Sequence, residues 1–302
     1  MKPFLRWPGG KRWLEDELIT FARSLGDVPV AYCEPFLGGG SLLIAMLDHG
    51  LIAKNNCFLG DLAPEAFFVW KAVLENPVRT AMEANRRLND ALGGTTDLFL
   101  QSVAEIGYYR MRDDWNERAP RNLDLSGKDL CAVGGLLIAL NRLSFKGLLR
   151  VNPHGNFNVS YGHLPTPSVD MANIVAVGQA MQKIGAVLAP GGWSEVFEFA
   201  DGTAGVVPKV DVVDPPYAGT THTAYTQRGW TDLDRKALAL ACRNRNMRGW
   251  STFATDAKLP DAWDAWQWGN PVESTRSGGM SDGNGSGRDQ RGEILVRARH
   301  VS

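Results

Sequence analysis

The stretch Val210-Asp211-Val212-Val213-Asp214-Pro215-Pro216-Tyr217 decides how the rest of the chain is interpreted. Its first four residues are mostly β-branched and apolar, which predicts a short buried strand. Pro215 and Pro216 then remove two consecutive backbone donors and restrict φ, so that neither a helix nor a strand ladder can continue. The strand therefore ends in a rigid turn that presents an acid, a carbonyl group and an aromatic ring.

The place of this turn predicts a ligand site. Open parallel sheets bind ligands outside the carboxyl ends of their strands. Asp214, the carbonyl of Pro215 and the ring of Tyr217 together suit a planar base that bears an amino group. The alternative is a strand followed by a tight loop, with Tyr217 packed in the core.

Composition sets the class of protein. The chain has 302 residues, of which 44% are hydrophobic and 22% are charged, and this suits one large globular domain or a domain with an insertion. No run is long and apolar enough to span a membrane and no signal peptide is apparent, so we expect a cytoplasmic protein. The net charge is −1, so the chain as a whole lacks the positive charge that is typical of nucleic-acid-binding proteins. Any DNA contact must therefore come from local basic clusters.

The cysteines argue against a metal centre. They are far apart and form no C-x-x-C pair, which indicates reduced structural thiols rather than a zinc site or a disulfide framework. The four residues are Cys33, Cys57, Cys131 and Cys242.

Two further strand ends predict a nucleotide-like ligand. A strand over 28–33 is followed by a glycine turn that contains Gly38 and Gly40, and then by a helix, as in the first unit of a Rossmann-like sheet. The third glycine of the dinucleotide fingerprint is missing and no G-K-[ST] follows, which excludes an NAD signature and a P-loop. A second strand, over 57–61, ends in Asp61, which is placed to accept hydrogen bonds from ribose hydroxyls.

The N-terminal loop is the third candidate for the site. Pro8-Gly9-Gly10 predicts a turn that a ligand can approach closely, with the ring of Trp7 and the charge of Lys11 beside it. The alternative is that Trp7 covers the core and Lys11 is a solvated helix start.

These motifs, in this order, resemble those of the Dam-type (D12 class, alpha-group) adenine-specific DNA methyltransferases, and the resemblance covers nearly the whole chain. The opening P-F-x-x-W-x-G-G-K, E-P-F-x-G-x-G, the second-strand acid and D-P-P-Y are all present. A further family feature, R-x-N-x-x-G-x-F-N-V-P, is matched except at its proline. The matching positions are Pro3, Phe4, Trp7, Gly9, Gly10, Lys11, Glu34, Pro35, Phe36, Gly38, Gly40, Asp61, Arg150, Asn152, Gly155, Phe157, Asn158, Val159, Asp214, Pro215, Pro216 and Tyr217, with Ser160 in place of the proline.

The resemblance implies a fold and a division of the chain. We expect a Rossmann-like sheet typical of S-adenosylmethionine-dependent methyltransferases in residues 1–63 and 165–302. The family inserts a target-recognition domain, here residues 64–164, which we expect to be mostly helical. Helical patterns over 64–92, 97–115 and 130–140 support this expectation, and 145–152 with 157–161 predicts a β-hairpin.

The resemblance also implies the cofactor and the residues that bind it. S-adenosylmethionine is the expected methyl donor, and a predicted strand over 195–201 is expected to end against its adenine, with Phe199 as the contact. The implied cofactor-binding residues are Trp7, Lys11, Phe36, Gly38, Gly40, Asp61, Phe199 and Asp214.

The residue types then suggest how a methyl group reaches an amino group. The lone pair of the adenine amino nitrogen is delocalised into the ring, so Asp214 and the carbonyl of Pro215 are expected to accept its hydrogens and localise that lone pair. Tyr217 is expected to stack on a base flipped out of the duplex. This chemistry needs no metal and no covalent enzyme intermediate.

A basic stripe along the predicted hairpin indicates where double-stranded DNA is contacted. It consists of Arg142, Lys146, Arg150 and His154. A two-stranded ribbon can enter the major groove, where Arg150 is expected to read a guanine, and Ser160 is expected to alter which base is tolerated beside it. The alternative is a solvated charged face. The expected DNA-binding residues are Arg6, Arg142, Lys146, Arg150, Asn152, Asn158 and Ser160.

The C-terminal part is expected to complete the sheet. Residues 218–228 predict a loop that closes over the base, 233–242 a helix and 249–254 a strand. The glycine-rich residues 277–292 predict a flexible loop that DNA orders, and 293–299 an edge strand.

Three alternatives stay open. The enzyme could methylate cytosine in DNA or adenine in RNA, or the chain could be a non-catalytic DNA-binding relative. The intact D-P-P-Y and Asp61 favour an enzyme, which we expect to be a monomer or a weak dimer, either in restriction-modification or on its own.

Overall fold

The structure is a computed structural model that describes residues 1–93, 101–118, 127, 129–152, 154–216, 230–256, 272–274 and 293–299. The helices are α1 (Glu15–Arg23), α2 (Ser41–Asp48), α3 (Pro64–Glu75), α4 (Pro77–Ala91), α5 (Gln101–Arg118), α6 (Leu130–Leu143), α7 (Met171–Lys183), α8 (Trp193–Thr203) and α9 (Asp232–Asn246). The strands are β1 (Val30–Glu34), β2 (Ile52–Leu59), β3 (Val187–Leu188), β4 (Lys209–Val213), β5 (Trp250–Asp256), β6 (Val272–Ser274) and β7 (Glu293–Ala298). The predicted loops over 218–228 and 277–292, and Tyr217, lie outside the described residues.

The strands form one sheet in the order β3-β2-β1-β4-β5-β7-β6. Strands β1 to β5 are parallel where they pair, and β7 is antiparallel to both of its neighbours. The predicted α/β fold with a mostly parallel, Rossmann-like sheet is confirmed. Since β1 lies between β2 and β4, the connections leave it in opposite directions, and this reversal opens a crevice at the carboxyl ends of β1 and β4.

The two central strands consist mostly of apolar residues and are covered on both faces. Every residue of β1 is buried, and so are the last four residues of β4. Cys33 of β1 pairs in register with Asp211 of β4. This register brings the end of β1, at Glu34, and the turn that follows β4, at Asp214, to the same edge of the sheet.

The segment predicted as a strand over 195–201 is helical, so that prediction is wrong. Helix α8 begins directly after Gly192, whose backbone N–H donates to the Glu195 carboxylate (3.0 Å) and so caps the first turn. Val196, Phe197 and Ala200 are buried with helical spacing. A short apolar run fits a strand or a helix equally well, and here the cap decides for the helix.

The predicted edge strand over 293–299 is an inner strand of the sheet. β7 pairs with β5 on one side and with β6 on the other. β6 contains only Val272–Ser274 and lies at the edge in its place. A strand of three residues is too short to show a periodic pattern, which explains the error.

Helices α3, α4, α6 and α7 pack against one another beside the sheet. The predicted helices over 64–92 and 130–140 are confirmed, with a break at Asn76-Pro77. α5 begins at Gln101, and residues 97–100 lie outside the described part. Trp70 of α3 lies in the same buried cluster as Tyr32 of β1. The division of the chain at residues 64 and 164 therefore stays a prediction, since α3 shares the core of the sheet.

The segment from Ser144 to Tyr161 folds back on itself, although not as two regular strands. It pairs antiparallel through two isolated bridges, Ser144 with Tyr161 and Val151 with Phe157. The predicted hairpin is thus present in outline, while residues 145–147 form a 3-10 turn. Side chains alternate along its second arm: Phe157, Val159 and Tyr161 are buried, whereas Asn158 and Ser160 are exposed.

A buried ionic cluster joins the other face of the sheet to α8 and α9. Arg245 of α9 donates to both carboxylate oxygens of Asp211 (2.9 and 2.8 Å) and also to Asp201 of α8. Its guanidinium lies between the rings of Phe197 and Trp250, 4.2 and 3.9 Å from their centroids. Burial raises the pKa of Asp211, and the Arg245 charge opposes that shift. The cluster fixes β4 against two helices close to the turn that carries Asp214.

No helix in the described ranges combines the length and the apolar character that crossing a membrane requires. The four cysteines are all buried free thiols.

Candidate active site

A cavity of about 220 Å³ opens at the point where the strand order reverses between β1 and β4. Its walls come from the N-terminal loop, the turn after β1, the end of β2, the start of α8, the turn after β4 and the residue before α9. The lining residues are Trp7, Pro8, Gly9, Gly10, Lys11, Glu34, Pro35, Phe36, Leu37, Gly38, Gly39, Gly40, Ser41, Leu42, Asp61, Leu62, Ala63, Gly192, Trp193, Asp214, Pro215, Pro216 and Trp230.

Most of the predicted cofactor-binding and catalytic residues meet in this cavity. Of the expected cofactor-binding residues, all but Phe199 line it: Trp7, Lys11, Phe36, Gly38, Gly40, Asp61 and Asp214. Of the expected catalytic residues, Asp214 and Pro215 line it, and Tyr217 lies outside the described residues. Phe199 lies on α8, is 41% exposed, and contacts the ring of Phe58. It is not brought to the cavity, because the segment that carries it is a helix.

The glycine turn is shaped by two tryptophans. Gly38 and Gly40 have φ values of +47° and +65°, which favour glycine. A Cβ atom on Gly40 would lie 2.2 Å from the ring of Trp70, and one on Gly38 would lie 2.7 Å from Nε1 of Trp7. Trp70 also donates its indole N–H to the carbonyl of Gly38 (2.8 Å). The glycines are therefore required by the packing of the tryptophans as well as by the turn.

Asp61 connects this turn to the end of β2. Its carboxylate accepts the backbone N–H of Gly38 (2.7 Å) on one oxygen and that of Ala63 (2.8 Å) on the other. Burial raises the pKa of Asp61 to about 6, and these two hydrogen bonds oppose the shift. Because each carboxylate oxygen has a further lone pair, Asp61 can still accept hydrogen bonds from a molecule in the cavity.

Lys11 and Asp214 form a nearly buried ion pair across the cavity. The Lys11 side chain is only 5% exposed, and its Nζ lies 3.1 Å from Asp214 Oδ1 and 2.9 Å from the carbonyl oxygen of Gly9. The hydroxyl of Thr255, on β5, donates to the same Asp214 oxygen. The alternative that Lys11 is a solvated helix start is wrong. The pair fixes the N-terminal loop to the turn after β4.

The lining includes Trp193, Trp230 and Glu34, for which the sequence predicted no role in the site. Trp193 is the first residue of α8, and Gly191-Gly192 before it with Glu195 after it was a usable signal for a helix start. Trp230 immediately precedes the capping box formed by Thr231 and Asp234 at the start of α9. Glu34 was matched to a motif but given no role.

Glu34 is an acid held in the floor of the cavity. The hydroxyl of Tyr32 donates to its carboxylate (2.7 Å), and both side chains are buried. Burial raises the pKa of Glu34 well above its usual range, and the nearby carboxylates of Asp214 and Asp61 add to this shift. The hydrogen bond from Tyr32 opposes this rise in the pKa. No group of three or more His, Cys, Asp or Glu residues in the described part of the chain could hold a metal ion.

Next to the cavity, Arg6 of the N-terminal loop lies beside Arg142 and the hairpin segment, and together they form a basic surface. The backbone of Arg6 is paired with the side chain of Asn141, whose amide also donates to Gly147. Burial and the charge of Arg6 lower the pKa of Arg142. Nε of Arg142 is buried, with no hydrogen-bond partner among the described residues.

The outer part of the hairpin segment carries the remaining predicted DNA contacts. Arg150 donates from Nε to the side-chain oxygen of Asn158 (3.0 Å), so the two are held side by side on an exposed face. Ser160 lies on the exposed side of the same arm, and Lys146 is exposed near its start. Asn152 instead accepts the backbone N–H groups of His154 and Asn156 and shapes the turn.

Comparison with known proteins gives a consistent picture. The family described as "D12 class N6 adenine-specific DNA methyltransferase" matches residues 7–262. The type II methyltransferase M.MjaIII of Methanocaldococcus jannaschii is 29% identical over 259 residues, which are 82% of each chain. A DNA adenine methylase of Vibrio cholerae serotype O1 is 24% identical and covers 98% of this chain and 95% of its own. Among solved structures, the rRNA methyltransferase aviRa of Streptomyces viridochromogenes overlaps 96% of this chain and 86% of its own, with 15% identity and a TM-score of 0.39.

The packing of the glycine turn makes a prediction about stability. Gly40→Ala should lower the free energy of unfolding by about 2–4 kcal/mol, since the methyl group meets Trp70 and the backbone is left-handed. Gly50→Ala is the matched control: its φ is +62°, and no atom lies within 4 Å of the added Cβ. That variant should lose only about 1–2 kcal/mol, the conformational part alone. Urea denaturation of both variants measures the difference, and equal losses would show that Trp70 imposes no constraint.

Proposed function

The chain belongs to the D12 class N6 adenine-specific DNA methyltransferases, and on that premise we propose that the cavity between β1 and β4 binds S-adenosylmethionine and that Asp214 and Pro215 hold the adenine to be methylated. The enzyme is an adenine-specific DNA methyltransferase. Its membership favours adenine over cytosine and DNA over RNA. It also supports a cytoplasmic enzyme acting on DNA.

The lining of the cavity fits the proposed cofactor. Asp61 has free acceptor capacity for ribose hydroxyls, while Phe36 and Trp193 supply aromatic walls for an adenine ring. The glycine turn leads directly into α2, which starts at the cavity with Ser41. Trp193 takes the adenine-contacting role that was expected of Phe199. When bound, S-adenosylmethionine supplies an electrophilic methyl group on its sulfonium centre.

Asp214 is prepared for its task by its two neighbours. Lys11 and Thr255 both engage Oδ1, and because a carboxylate has about four lone-pair sites, Asp214 can still accept a hydrogen from the amino group of adenine. Pro215 and Pro216 have no backbone N–H, so no donor on them competes for the carboxylate or faces the amino group. The carbonyl of Pro215 accepts the second hydrogen, and the lone pair of the nitrogen becomes available for direct transfer.

The observation that carries this proposal is the ion pair between Lys11 and Asp214 in the same cavity as Asp61 and the glycine turn. It fixes a charged acceptor beside the expected position of the cofactor. Tyr217 follows Pro216 directly, and stacking on a flipped adenine is proposed for it by resemblance to the family.

A variant that loses methyl transfer but still binds duplex DNA would establish the role of Asp214. Asp214→Ala should reduce methyl transfer by roughly 100- to 10,000-fold, because the amino group loses its acceptor. Its affinity for duplex DNA should persist. Asp16→Ala, at an exposed position of α1, is the control and should transfer methyl groups at the wild-type rate. Single-turnover incorporation of labelled methyl groups measures the rate, and wild-type turnover in Asp214→Ala would contradict the mechanism.

The raised pKa of Asp61 predicts how cofactor binding depends on pH. Below about pH 6 the carboxyl group becomes protonated and is a poorer acceptor, so affinity should fall as the pH falls through this value. Asp61→Ala should weaken binding by about 1–3 kcal/mol at pH 7, since ribose hydroxyls lose their partner.

Calorimetry with S-adenosylmethionine from pH 5 to pH 7 tests this dependence. Asp61→Asn keeps the shape of the side chain and controls for titration of the ligand itself, and it should remove the step near pH 6. A wild-type profile no steeper than that of Asp61→Asn would exclude Asp61 from binding the cofactor.

We also propose that the basic surface around residues 142–160 binds duplex DNA and reads the target site. Arg6 and Arg142 place like charges together, with an unpaired buried Nε among the described residues, which favours a phosphate as the partner. Arg150 is held in place by Asn158 on an exposed face, as a guanine-reading arginine requires. Residues 64–164 would thus serve target recognition, and Lys146 and Ser160 lie within reach of the same groove. A monomer or weak dimer suffices for this arrangement.

Arg150 and Asn158 are predicted to act together in site selection. Arg150→Ala should cost about 1–3 kcal/mol on the best site and much less on other sites, because a lost base contact removes discrimination. Asn158→Ala should shift preference at the same base, since Arg150 loses the partner that orients it. Methylation rates over a library of four-base sites measure both effects, with Ser160→Pro as a third variant. A uniform loss over all sites would instead assign Arg150 to the DNA backbone.

A further inference from the structure

One residue that lines the cavity carries a buried polar atom for which the described residues offer no hydrogen-bond partner. In the part of the chain that the structure describes, five buried side-chain atoms make no hydrogen bond: Nε of Arg112, Arg142 and Arg297, Oγ1 of Thr252, and Nε1 of Trp230. Of these five residues, Trp230 is the one that lines the cavity. An indole nitrogen can only donate, so it needs an acceptor.

The ring of Trp230 is fixed in place by its surroundings. It packs edge to face on Phe36, with ring centroids 5.7 Å apart and an interplanar angle of 88°. The next residue, Thr231, is the N-cap of α9 and exchanges hydrogen bonds with Asp234. The backbone at Trp230 is therefore held by the start of a helix, and its ring by an aromatic residue of the glycine-turn motif.

We propose that the indole N–H of Trp230 donates a hydrogen bond to an acceptor atom of the bound methyl donor, which makes Trp230 a further cofactor-binding residue. A buried donor for which the described residues offer no acceptor is unfavourable, and Trp230 lines the cavity in which the cofactor is proposed to bind. S-adenosylmethionine offers acceptors on its adenine ring, its ribose and its carboxylate. This inference rests on the proposed function, because it requires the cofactor to occupy this cavity.

The contact between Phe36 and Trp230 fixes two walls of the cavity relative to each other. Phe36 follows β1, whereas Trp230 precedes α9, and their edge-to-face contact joins the two segments. A hydrogen bond from Trp230 to the cofactor would add a polar contact from the α9 side, opposite the contact from Asp61 at the end of β2. The cofactor would then be held by residues from both halves of the sheet.

Binding of S-adenosylhomocysteine to the full-length protein tests the proposal without turnover. Trp230→Phe keeps an aromatic ring and removes only the N–H, and it should weaken binding by about tenfold. Trp230→Ala removes the ring as well and should weaken binding further. Trp13→Phe is the matched control, since Trp13 packs against the main core outside the cavity, and it should bind like the wild type.

The outcomes separate this proposal from the one on which it rests. If wild type binds and Trp230→Phe binds equally well, the hydrogen bond is refuted while the cofactor site stands. If wild type does not bind at all, both proposals are overturned. Repeating the titration with 5′-methylthioadenosine, which lacks the amino-acid part, assigns the acceptor: a persisting loss places it on the nucleoside, and a vanished loss places it on the carboxylate.

A spectroscopic measurement does not depend on how the variants fold. In ¹⁵N-labelled wild-type protein, the indole N–H of Trp230 can be identified by its proximity to the ring of Phe36. Addition of S-adenosylhomocysteine should shift this resonance downfield and slow its exchange with water. An unchanged resonance in a protein saturated with ligand would overturn the proposal.

Discussion

The ion pair between the buried Lys11 and the partly exposed Asp214 is the constraint on which the rest of the site depends. Removing the charge of Lys11 from water is costly, and only a close partner and further hydrogen bonds offset that cost. Here Gly9 and Thr255 supply the additional bonds. Because a single charge left behind would be strongly unfavourable, the N-terminal loop must lie on the turn after β4 whenever the chain is folded. The carboxylate expected to act on adenine is thus held in place before any substrate arrives.

Beyond the ion pair, the site is held together by tryptophan rings that pack on glycines of the turn after β1. Trp7, four residues before Lys11, lies against Gly38 and Gly39, and Trp70 of α3 lies against Gly40. Asp61 then fastens the same turn to the end of β2 through the N–H of Gly38. Each contact joins segments far apart in sequence, so the cavity exists only as a product of the whole fold. This is also why α3, which was expected to begin a separate insertion, is part of the core.

The motifs predicted the elements that are encoded locally. The strands that lead to Glu34 and Asp214, the glycine turn and the acid after β2 each depend on neighbouring residues, and all are present, although β2 covers 52–59 rather than the predicted 57–61. α8 was mistaken for a strand because a short apolar run has no period long enough to distinguish the two. Trp193 and Trp230 could not be assigned to the cavity, since only tertiary contacts bring the starts of α8 and α9 to it. The ion pair was missed for the same reason, although both of its residues had been singled out.

Although the net charge is only −1, basic residues are placed where the proposed DNA-binding surface meets the cavity. The loop from Arg6 to Lys11 takes part in both regions. Arg6 is bound through its backbone to Asn141 and lies against Gly147 on the basic surface, and Trp7, the next residue, packs on the glycine turn of the cavity. Lys11 then reaches Asp214. One short loop therefore joins the surface proposed to bind DNA to the glycine turn and to the carboxylate of the cavity. On the proposed function, basic residues on a segment that also builds the site bring a polyanion next to the cavity without an excess of positive charge in the whole chain.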